Sequence, residues 1–201
     1  MKKNLFITFE GIEGSGKSTL SRKLQEFFLK NKIDVVLTRE PGGCEISEQI
    51  RKILLDEKFN NIQAMTEILL NFSARLEHVE QLIKPALKQG KMVICDRFFD
   101  STYAYQGSAQ GVDFSIIHAI QKITLNDFQP DLTFLIDIDV NQAFARINSR
   151  ADNNRYEKLG LEFHQKVRSG FLKLADKNSR IKIIDGSQTI EQILLEITKH
   201  F

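Results

Sequence analysis

A glycine-rich stretch between an apolar run and a helical pattern carries the clearest chemical signal in this chain. Residues 6–20 read FITFEGIEGSGKSTL, which satisfies the pattern GxxxxGK[ST]. In this pattern, backbone without bulky side chains wraps phosphate groups and directs N–H groups at them. The stretch therefore predicts a binding site for a nucleoside triphosphate. A chance spelling of the motif in an ordinary turn is disfavoured, because the apolar run before it and the helical pattern after it are both present.

We call residues 11–19 the phosphate cradle. The helix that begins there directs its positive N-terminus at the bound anion, which adds to the hydrogen bonds of the backbone. Lys17 is expected to place its charge at the outer phosphates, and Ser18 to offer its hydroxyl to Mg²⁺. The predicted nucleotide contacts are Gly11, Ile12, Glu13, Gly14, Ser15, Gly16, Lys17, Ser18 and Thr19.

Two apolar runs end on an aspartate that could serve the metal ion: VIC before Asp96 and FLI before Asp137. We favour Asp96, because Arg97 and a segment rich in hydroxyls and aromatic rings follow it, which joins a metal-side acid to an anion-binding guanidinium. Asp137 is then expected to accept hydrogen bonds from backbone. The alternative for Asp96 and Arg97 is a surface ion pair, which would contribute little.

Alternating strand and helix patterns predict the scaffold that positions these residues. Between the strands the sequence has helical patterns, so we expect a parallel sheet with helices on both faces and ligands at the carboxyl ends of the strands. A long helix should carry an apolar stripe (Met65, Ile68, Leu69, Phe72, Leu76, Val79, Ile83) that faces the core or an oligomer interface, and should close at Pro85 and Gly90. The predicted strands are Leu5–Phe9, Asp34–Thr38, Met92–Cys95, Leu132–Ile136 and Ile181–Ile184, and a further helix is predicted over Glu45–Leu55.

Size and composition restrict the class of protein. A chain of 201 residues suits one domain. A net charge of +2 gives no support for nucleic-acid or anionic-membrane binding, so any anion must be held by locally placed arginine and lysine. The N-terminus leads directly into a strand and the two cysteines, Cys44 and Cys95, lack metal spacing, which favours a reduced cytoplasmic protein with Cys95 in the core. The four histidines show no catalytic or metal-binding spacing.

Four motifs together resemble one family. FEGIEGSGKST, TREPGG, DRFFDSTYAYQG and LGLEFHQKVRSGFL extend over nearly the whole chain, and in this order they are similar to the thymidylate kinase family. The resemblance implies a P-loop NTPase fold with a five-stranded parallel sheet and an arginine-bearing lid. It also implies transfer of the γ-phosphoryl group of ATP, with Mg²⁺, to dTMP for dTTP supply, and a homodimer packed through helices.

The resemblance also implies a set of acceptor contacts. Arg51 and Arg97 would hold the phosphate of dTMP, beside the turn at Pro41. Glu10 would face the deoxyribose or the metal. Tyr105 would lie under the sugar, with Thr102 and Gln106 at the base. In the family, an aromatic residue four positions before an arginine stacks on thymine. Here that arginine is Arg75, the position four before it is Asn71, and Phe72 lies three before it. Phe72 could therefore either stack on the base or pack in the core.

A lid over residues 146–158 is expected to close on both nucleotides within a single domain of residues 1–201. Phosphoryl transfer requires alignment, charge neutralisation and exclusion of water, which a positive lid supplies. No basic residue lies between Gly11 and Gly16, so the arginine that bridges the two nucleotides is expected from the lid, at Arg150 or Arg155. The alternative for both is a solvated helix face, and Arg146 would flank adenine.

The sequence is also compatible with two rival functions. The first is a kinase for another nucleoside monophosphate. The second is a nucleotide-dependent switch, because residues 31–34 spell NKID, the NKxD pattern of guanine recognition. That pattern lies between the first helix and the second strand here, whereas in switch proteins it follows a late strand.

Overall fold

The computed structural model describes residues 4–59, 61–147, 155–156 and 159–201. Its centre is a five-stranded parallel sheet in the order β2-β3-β1-β4-β5, which confirms the predicted fold class. Each strand extends one residue beyond its predicted end, and that last residue is charged in every case. The strands are β1 (Phe6–Glu10), β2 (Val35–Arg39), β3 (Met92–Asp96), β4 (Leu132–Asp137) and β5 (Ile181–Asp185).

Helices fill the connections between the strands, as right-handed crossovers in a parallel sheet require. Among the described residues they are α1 (Lys17–Lys30), α2 (Glu45–Leu55), α3 (Ala64–His78), α4 (Lys84–Lys88), α5 (Phe99–Thr102), α6 (Phe114–Leu125), α7 (Val140–Ile147), α8 (Leu161–Lys177) and α9 (Ile190–Thr198). A short 3₁₀ turn (Glu57–Phe59) and two π-helical segments (Val79–Ile83 and Tyr103–Ala109) complete the set.

Alternation along the strands divides the core between the two faces of the sheet. On β1, Phe6 packs with Ile68 and Phe72 of α3, whereas Ile7 and Phe9 pack on the opposite face with residues of α1 and α9. Successive side chains of a strand point to opposite faces, so this division follows from the period of the strand. Cys95 is buried in the α3 side of the core, as predicted.

The long helix predicted to end near Pro85 continues past that residue. The α3 helix passes through the π-helical turn Val79–Ile83 into α4, where Pro85 occupies the first turn and the chain leaves the helix only at Gly90. The missing N–H of Pro85 falls directly after the π-helical turn, where Lys84 N–H donates to the backbone oxygen of Val79 and the regular i→i−4 bonding is already interrupted. The apolar stripe divides as well: Ile68, Phe72, Val79 and Ile83 are buried, while Met65 and Leu69 are exposed.

In the described part of the chain, no helix combines the length and the apolar character needed to cross a membrane.

Candidate active site

A cleft of about 560 Å³ opens at the carboxyl ends of the strands, where such sheets bind ligands. One end is bounded by the phosphate cradle and by Asp96 at the end of β3. The other end is bounded by α3 and by the segment that follows β3, with Asn71, Arg75 and Gln106 in its wall. The cleft therefore has a strongly charged end and a less charged end.

The phosphate cradle has the backbone that its glycines predict. Gly14 has φ +75°, and a Cβ there would lie 2.4 Å from the backbone oxygen of Ala143 on α7. Lys17 folds back on the cradle, where its Nζ donates to the backbone oxygen of Ile12 at 2.7 Å and to Ser15 Oγ at 3.2 Å. Burial and then the charge of Arg97 lower the pKa of Lys17 to about 8.

Ser18 and Asp96 meet at the charged end of the cleft. The Ser18 hydroxyl donates to the Asp96 carboxylate, and both residues line the cleft. An all-oxygen donor pair next to phosphate ligands is the chemistry that Mg²⁺ prefers, so these residues fit the ion.

Asp137 has a different environment from the one predicted. Its backbone oxygen accepts from Gly186 N–H, but its carboxylate pairs with Arg168 of α8 at 2.6 and 2.8 Å. The expectation that backbone donors occupy the carboxylate is wrong, because a guanidinium from the helix packed beside β4 reaches it. The bidentate pair engages both carboxylate oxygens.

Arg97 joins the cradle to the segment that follows β3. Its guanidinium donates to the backbone oxygen of Gly11 at 3.0 Å, to Ser101 Oγ at 3.0 Å, to Glu13 Oε1 at 2.9 Å and to Tyr105 Oη at 3.1 Å. Burial alone would raise the pKa of Glu13, but Arg97 and the neighbouring donors outweigh it and hold that pKa well below its ordinary value. Glu13 is thus an ionised acid within the cradle.

Glu10, the last residue of β1, holds the segment that follows β3. Glu10 is 1% exposed, accepts from Phe98 N–H at 2.7 Å and from Ser101 Oγ at 2.6 Å, and does not line the cleft. The predicted contact of Glu10 with sugar or metal does not fit this position, because the side chain lies on the far side of the residues that it holds. Burial and then the charge of Asp100 raise the pKa of Glu10 to about 7.

Arg51 and Pro41 adjoin each other in the cleft wall. The Arg51 guanidinium donates to the backbone oxygen of Pro41 at 2.7 Å, and burial is the largest cause that lowers the pKa of Arg51. Arg39, the last residue of β2, lines the same wall and pairs with Glu48 at 3.0 Å. Arg22 of α1 also lines the cleft. The sequence interpretation did not name Arg22; it placed the turn at residues 39–43 among the loops that meet at the cleft, but gave Arg39 no role.

The less charged end of the cleft is built by α3 and by the π-helical segment. Asn71, Arg75, Thr102 and Gln106 line it. Arg75 is 3% exposed; its Nε donates to Glu40 at 2.6 Å and its Nη1 to Thr102 Oγ1 at 3.3 Å.

Phe72 is not part of this wall. It is 1% exposed within the core, and the centre of its ring lies 4.7 Å from the Arg75 guanidinium carbon. Consecutive helix residues differ by about 100° in direction, so Asn71 reaches the cleft when Phe72 reaches the core. The structure therefore corrects the proposed stacking role of Phe72 in favour of core packing.

Glu67, which the sequence analysis did not single out, lies behind this wall. One of its carboxylate oxygens accepts from Arg155 at 2.6 Å, and the other accepts from Gln106 at 2.7 Å and Gln110 at 2.9 Å. Arg155 also donates to the backbone oxygen of Leu54 at 3.2 Å. In this conformation Arg155 is thus held beside α2 and α3 rather than at the cradle.

The segment predicted to form a lid, residues 146–158, is only partly described. Arg150 lies outside the described residues, and Arg146 on α7 donates to the backbone oxygen of Gly186 at 3.2 Å. His164 of α8 links Tyr156 to the cradle: its Nε2 donates to the backbone oxygen of Tyr156 at 3.1 Å, and its Nδ1 lies 3.4 Å from Glu13. No spacing in the sequence could reveal this contact, because residues 13 and 164 meet only through the fold.

The NKxD pattern has no part in the cleft. Asn31 caps the C-terminus of α1, and residues 31–34 connect that helix to the start of β2. Strand starts lie at the edge of a parallel sheet opposite to the ligand-binding edge.

The fold and the site together define the class of this protein as a P-loop kinase. The features that define it are the phosphate cradle, the oxygen pair suited to Mg²⁺ and the arginine-lined cleft on a five-stranded parallel sheet.

Comparisons with known proteins narrow this class. The family model described as Thymidylate kinase matches residues 9–197. A thymidylate kinase of Clostridium novyi (strain NT) is 42% identical over 200 residues, which cover 98% of this chain and 98% of that protein. A thymidylate kinase of Wolbachia pipientis subsp. Culex pipiens (strain wPip) is 48% identical over 185 residues, which cover 90% of this chain and 87% of that protein.

A solved structure agrees with these relatives. The crystal structure of thymidylate kinase from Ehrlichia chaffeensis matches this fold with a TM-score of 0.79 and 40% identity, over 98% of this chain and 97% of that one. The chain belongs to the thymidylate kinase family. It is an ATP-dependent nucleoside monophosphate kinase, and Mg²⁺ is the metal that its reaction uses.

The position of Phe72 predicts a stability effect rather than a binding effect. Phe72→Ala should lower the free energy of unfolding by about 3–5 kcal/mol, because it removes a fully buried ring. Urea unfolding followed by circular dichroism measures this change. Asn71→Ala is the matched control and should leave stability within about 1 kcal/mol. A stable Phe72→Ala protein with weakened acceptor binding would contradict the assignment.

The raised pKa of Glu10 predicts a pH-dependent stability. Glu10 binds a proton more tightly in the folded state, so its stabilising contribution is complete below pH 4.5 and is lost as the pH rises to about 7. The isosteric Glu10→Gln removes this titration. Between pH 5 and 8, the free energy of unfolding of the native protein should fall by about 3 kcal/mol relative to that of Glu10→Gln, as judged by urea unfolding at each pH. Parallel pH profiles for the two proteins would refute this expectation.

Proposed function

We propose that this kinase transfers the γ-phosphoryl group of ATP to dTMP in the cleft, giving ADP and dTDP. The observation that supports this most directly is the division of the cleft into a cradle end and an end lined by Arg75, Thr102 and Gln106. Triphosphate lies at the first end and the pyrimidine at the second. A phosphate oxygen of dTMP attacks the γ-phosphorus, and the bond from that phosphorus to the β–γ bridging oxygen breaks.

The acceptor phosphate would be held by Arg51 and Arg97. Both residues line the cleft, and a guanidinium meets phosphate through paired hydrogen bonds that fix its orientation. Pro41 supports Arg51 through its backbone oxygen. Tyr105 would lie under the sugar, since its hydroxyl is already held by Glu13 and Arg97.

The donor triphosphate would be held by the cradle backbone and Lys17. Ser18 and Asp96 would hold Mg²⁺, which neutralises charge on the phosphate oxygens. Within the reaction, Lys17 and Arg97 orient the facing phosphates and offset their repulsion. Arg146, next to the loop after β5, would flank adenine.

The arginines of the lid would complete the charge balance. We propose a single domain over residues 1–201 whose lid, residues 146–158, supplies Arg150 or Arg155 to the transferred phosphoryl group. Arg155 must then leave Glu67 when both nucleotides are bound. An arginine that stabilises the transferred phosphoryl group raises kcat by about 10³- to 10⁵-fold.

An assay over a panel of nucleoside monophosphates tests this function. ATP consumption should depend on an added acceptor, with dTMP the best of the panel; a nucleotide-dependent switch would hydrolyse the triphosphate regardless of acceptor.

Arg51→Ala should raise the KM for dTMP by about 10- to 100-fold and change the KM for ATP by less than about threefold, because a charged hydrogen-bond pair to one ligand is lost. Lys52→Ala, an exposed neighbour on α2, is the matched control. Equal effects of Arg51→Ala on both nucleotides would oppose the acceptor role.

We also propose that the protein acts in the cytoplasm as a homodimer. Exposed apolar side chains on α2, α3 and α6, three helices that pack side by side, support the dimer: Ile46, Ile53, Met65, Leu69, Ile116 and Ile123. Exposed apolar side chains grouped on neighbouring helices are typical of a protein interface.

A charge within this surface should separate the protomers. Leu69 is 52% exposed on α3, so Leu69→Glu should fold normally yet shift the protein to monomer in sedimentation equilibrium, because a desolvated carboxylate would face its own copy. Leu195→Glu on α9, at an exposed site away from these helices, should leave the oligomeric state unchanged. A monomeric native protein, or a dimeric Leu69→Glu protein, would exclude this interface.

A further inference from the structure

The carboxylate of Glu67 is shared by donors from two parts of the chain, residues 106–110 and residues 155–156. Glu67 is 1% exposed on α3; Arg155 donates to its Oε1 at 2.6 Å, and the Nε2 atoms of Gln106 and Gln110 reach its Oε2 at 2.7 and 2.9 Å. A carboxylate in an ion pair offers only acceptors. Glu67 therefore dictates which atoms its neighbours present to it.

This constraint determines how the Gln106 amide is turned. Oxygen and nitrogen of a side-chain amide are interchangeable in shape, but only the nitrogen can donate to a carboxylate. The Oε1 atom of Gln106 must consequently point away from Glu67. Gln106 lines the cleft, and within the described ranges its Oε1 has no hydrogen-bond partner. The cleft wall thus presents an acceptor at this point.

A donor lies beside that acceptor. Arg75 lines the same end of the cleft and uses its Nε on Glu40 and one Nη1 hydrogen on Thr102, which leaves guanidinium hydrogens for a ligand. Thymine and uracil present an N3–H donor next to an O4 acceptor, whereas cytosine presents an N3 acceptor next to an amino donor. The Gln106 acceptor and the adjacent Arg75 donor therefore complement the edge of thymine or uracil and are mismatched with the edge of cytosine.

We infer that Glu67 is a positioning residue that sets base selectivity: by fixing the Gln106 amide, it makes the cleft accept pyrimidines that carry N3–H and reject cytosine. This inference rests on the proposed function, since it assumes that the base of the acceptor lies against Gln106. Glu67 itself does not contact the substrate. Its effect is exerted through the direction of one amide.

The substitution Glu67→Gln tests this role. Arg155 requires an acceptor, so the oxygen of the introduced amide should turn to Arg155 and its nitrogen to Gln106, which then turns over and presents Nε2 to the cleft. In a competition assay with dTMP and dCMP, the ratio of kcat/KM for dTMP to that for dCMP should fall by about tenfold or more, as one hydrogen bond is lost for one base and gained for the other.

Deoxyuridine monophosphate provides the internal control. It has the same N3–H and O4 edge as dTMP, so the ratio of dTMP to dUMP turnover should change by less than about twofold in Glu67→Gln. General loosening of the pocket would change both ratios. Gln110→Leu, which removes the other amide donor to Glu67 without freeing Gln106, should leave both ratios as in the native protein. The double variant Glu67→Gln/Gln106→Glu again directs an acceptor into the cleft and should restore preference for dTMP.

The outcomes separate this inference from the proposed function. Absence of dTMP phosphorylation by the native protein would refute the function. Native activity with an unchanged dTMP to dCMP ratio in a folded Glu67→Gln protein would refute the positioning role alone. Should thermal melting show that Glu67→Gln is unfolded, Gln106→Met removes the acceptor while leaving Glu67 with Arg155 and Gln110; its dTMP to dCMP ratio must also fall, and an unchanged ratio overturns the inference.

Discussion

The pairing of buried and partly buried arginines with buried carboxylates organises this cleft. A kinase that joins two polyanions needs positive charge in a confined space, and guanidinium groups without partners would repel one another and lose hydration there. Each arginine is held by an acid from a different element: Arg97 by Glu13, Arg75 by Glu40 and Arg155 by Glu67. The carboxylates fix the direction of each guanidinium and leave other hydrogens for ligands. Loss of one acid would leave a buried cation unpaired, which is more damaging than loss of the whole pair.

These pairs connect elements of the cleft that are far apart in the chain. Glu13 belongs to the cradle and receives Arg97, while His164 joins Glu13 to the backbone at Tyr156. The preceding residue, Arg155, is held by Glu67 on α3. Residues 155 and 156 are therefore tied both to α3 and, through His164, to the cradle. Any movement of Arg155 away from this position would break its contact with Glu67.

The cradle, the sheet and the turn at Pro41 could be predicted because their signals are local. A phosphate cradle requires glycine backbone, a lysine and a hydroxyl within a short stretch of chain, and strands reveal themselves by short apolar runs, so the cradle and the order of strand and helix were evident. The resemblance to a family added Arg51, Arg97 and Tyr105, which all lie along the cleft. Phe72 could not be resolved in this way. A shift of one position on a helix decides between core and cleft, and the apolar pattern of α3 allowed either.

Sequence alone determined the chemistry that this chain can perform: a triphosphate cradle at the end of β1, an aspartate at the end of β3 and arginines available for phosphate. Tertiary structure alone decided which charges meet. Glu10 lies behind the cleft rather than in it, Asp137 pairs with Arg168, and Glu67 receives Gln106 and Arg155 from positions 39 and 88 residues away. Such contacts depend on how helices pack across a sheet, and the energy of a buried charge depends on its neighbours in space rather than on its neighbours in the chain.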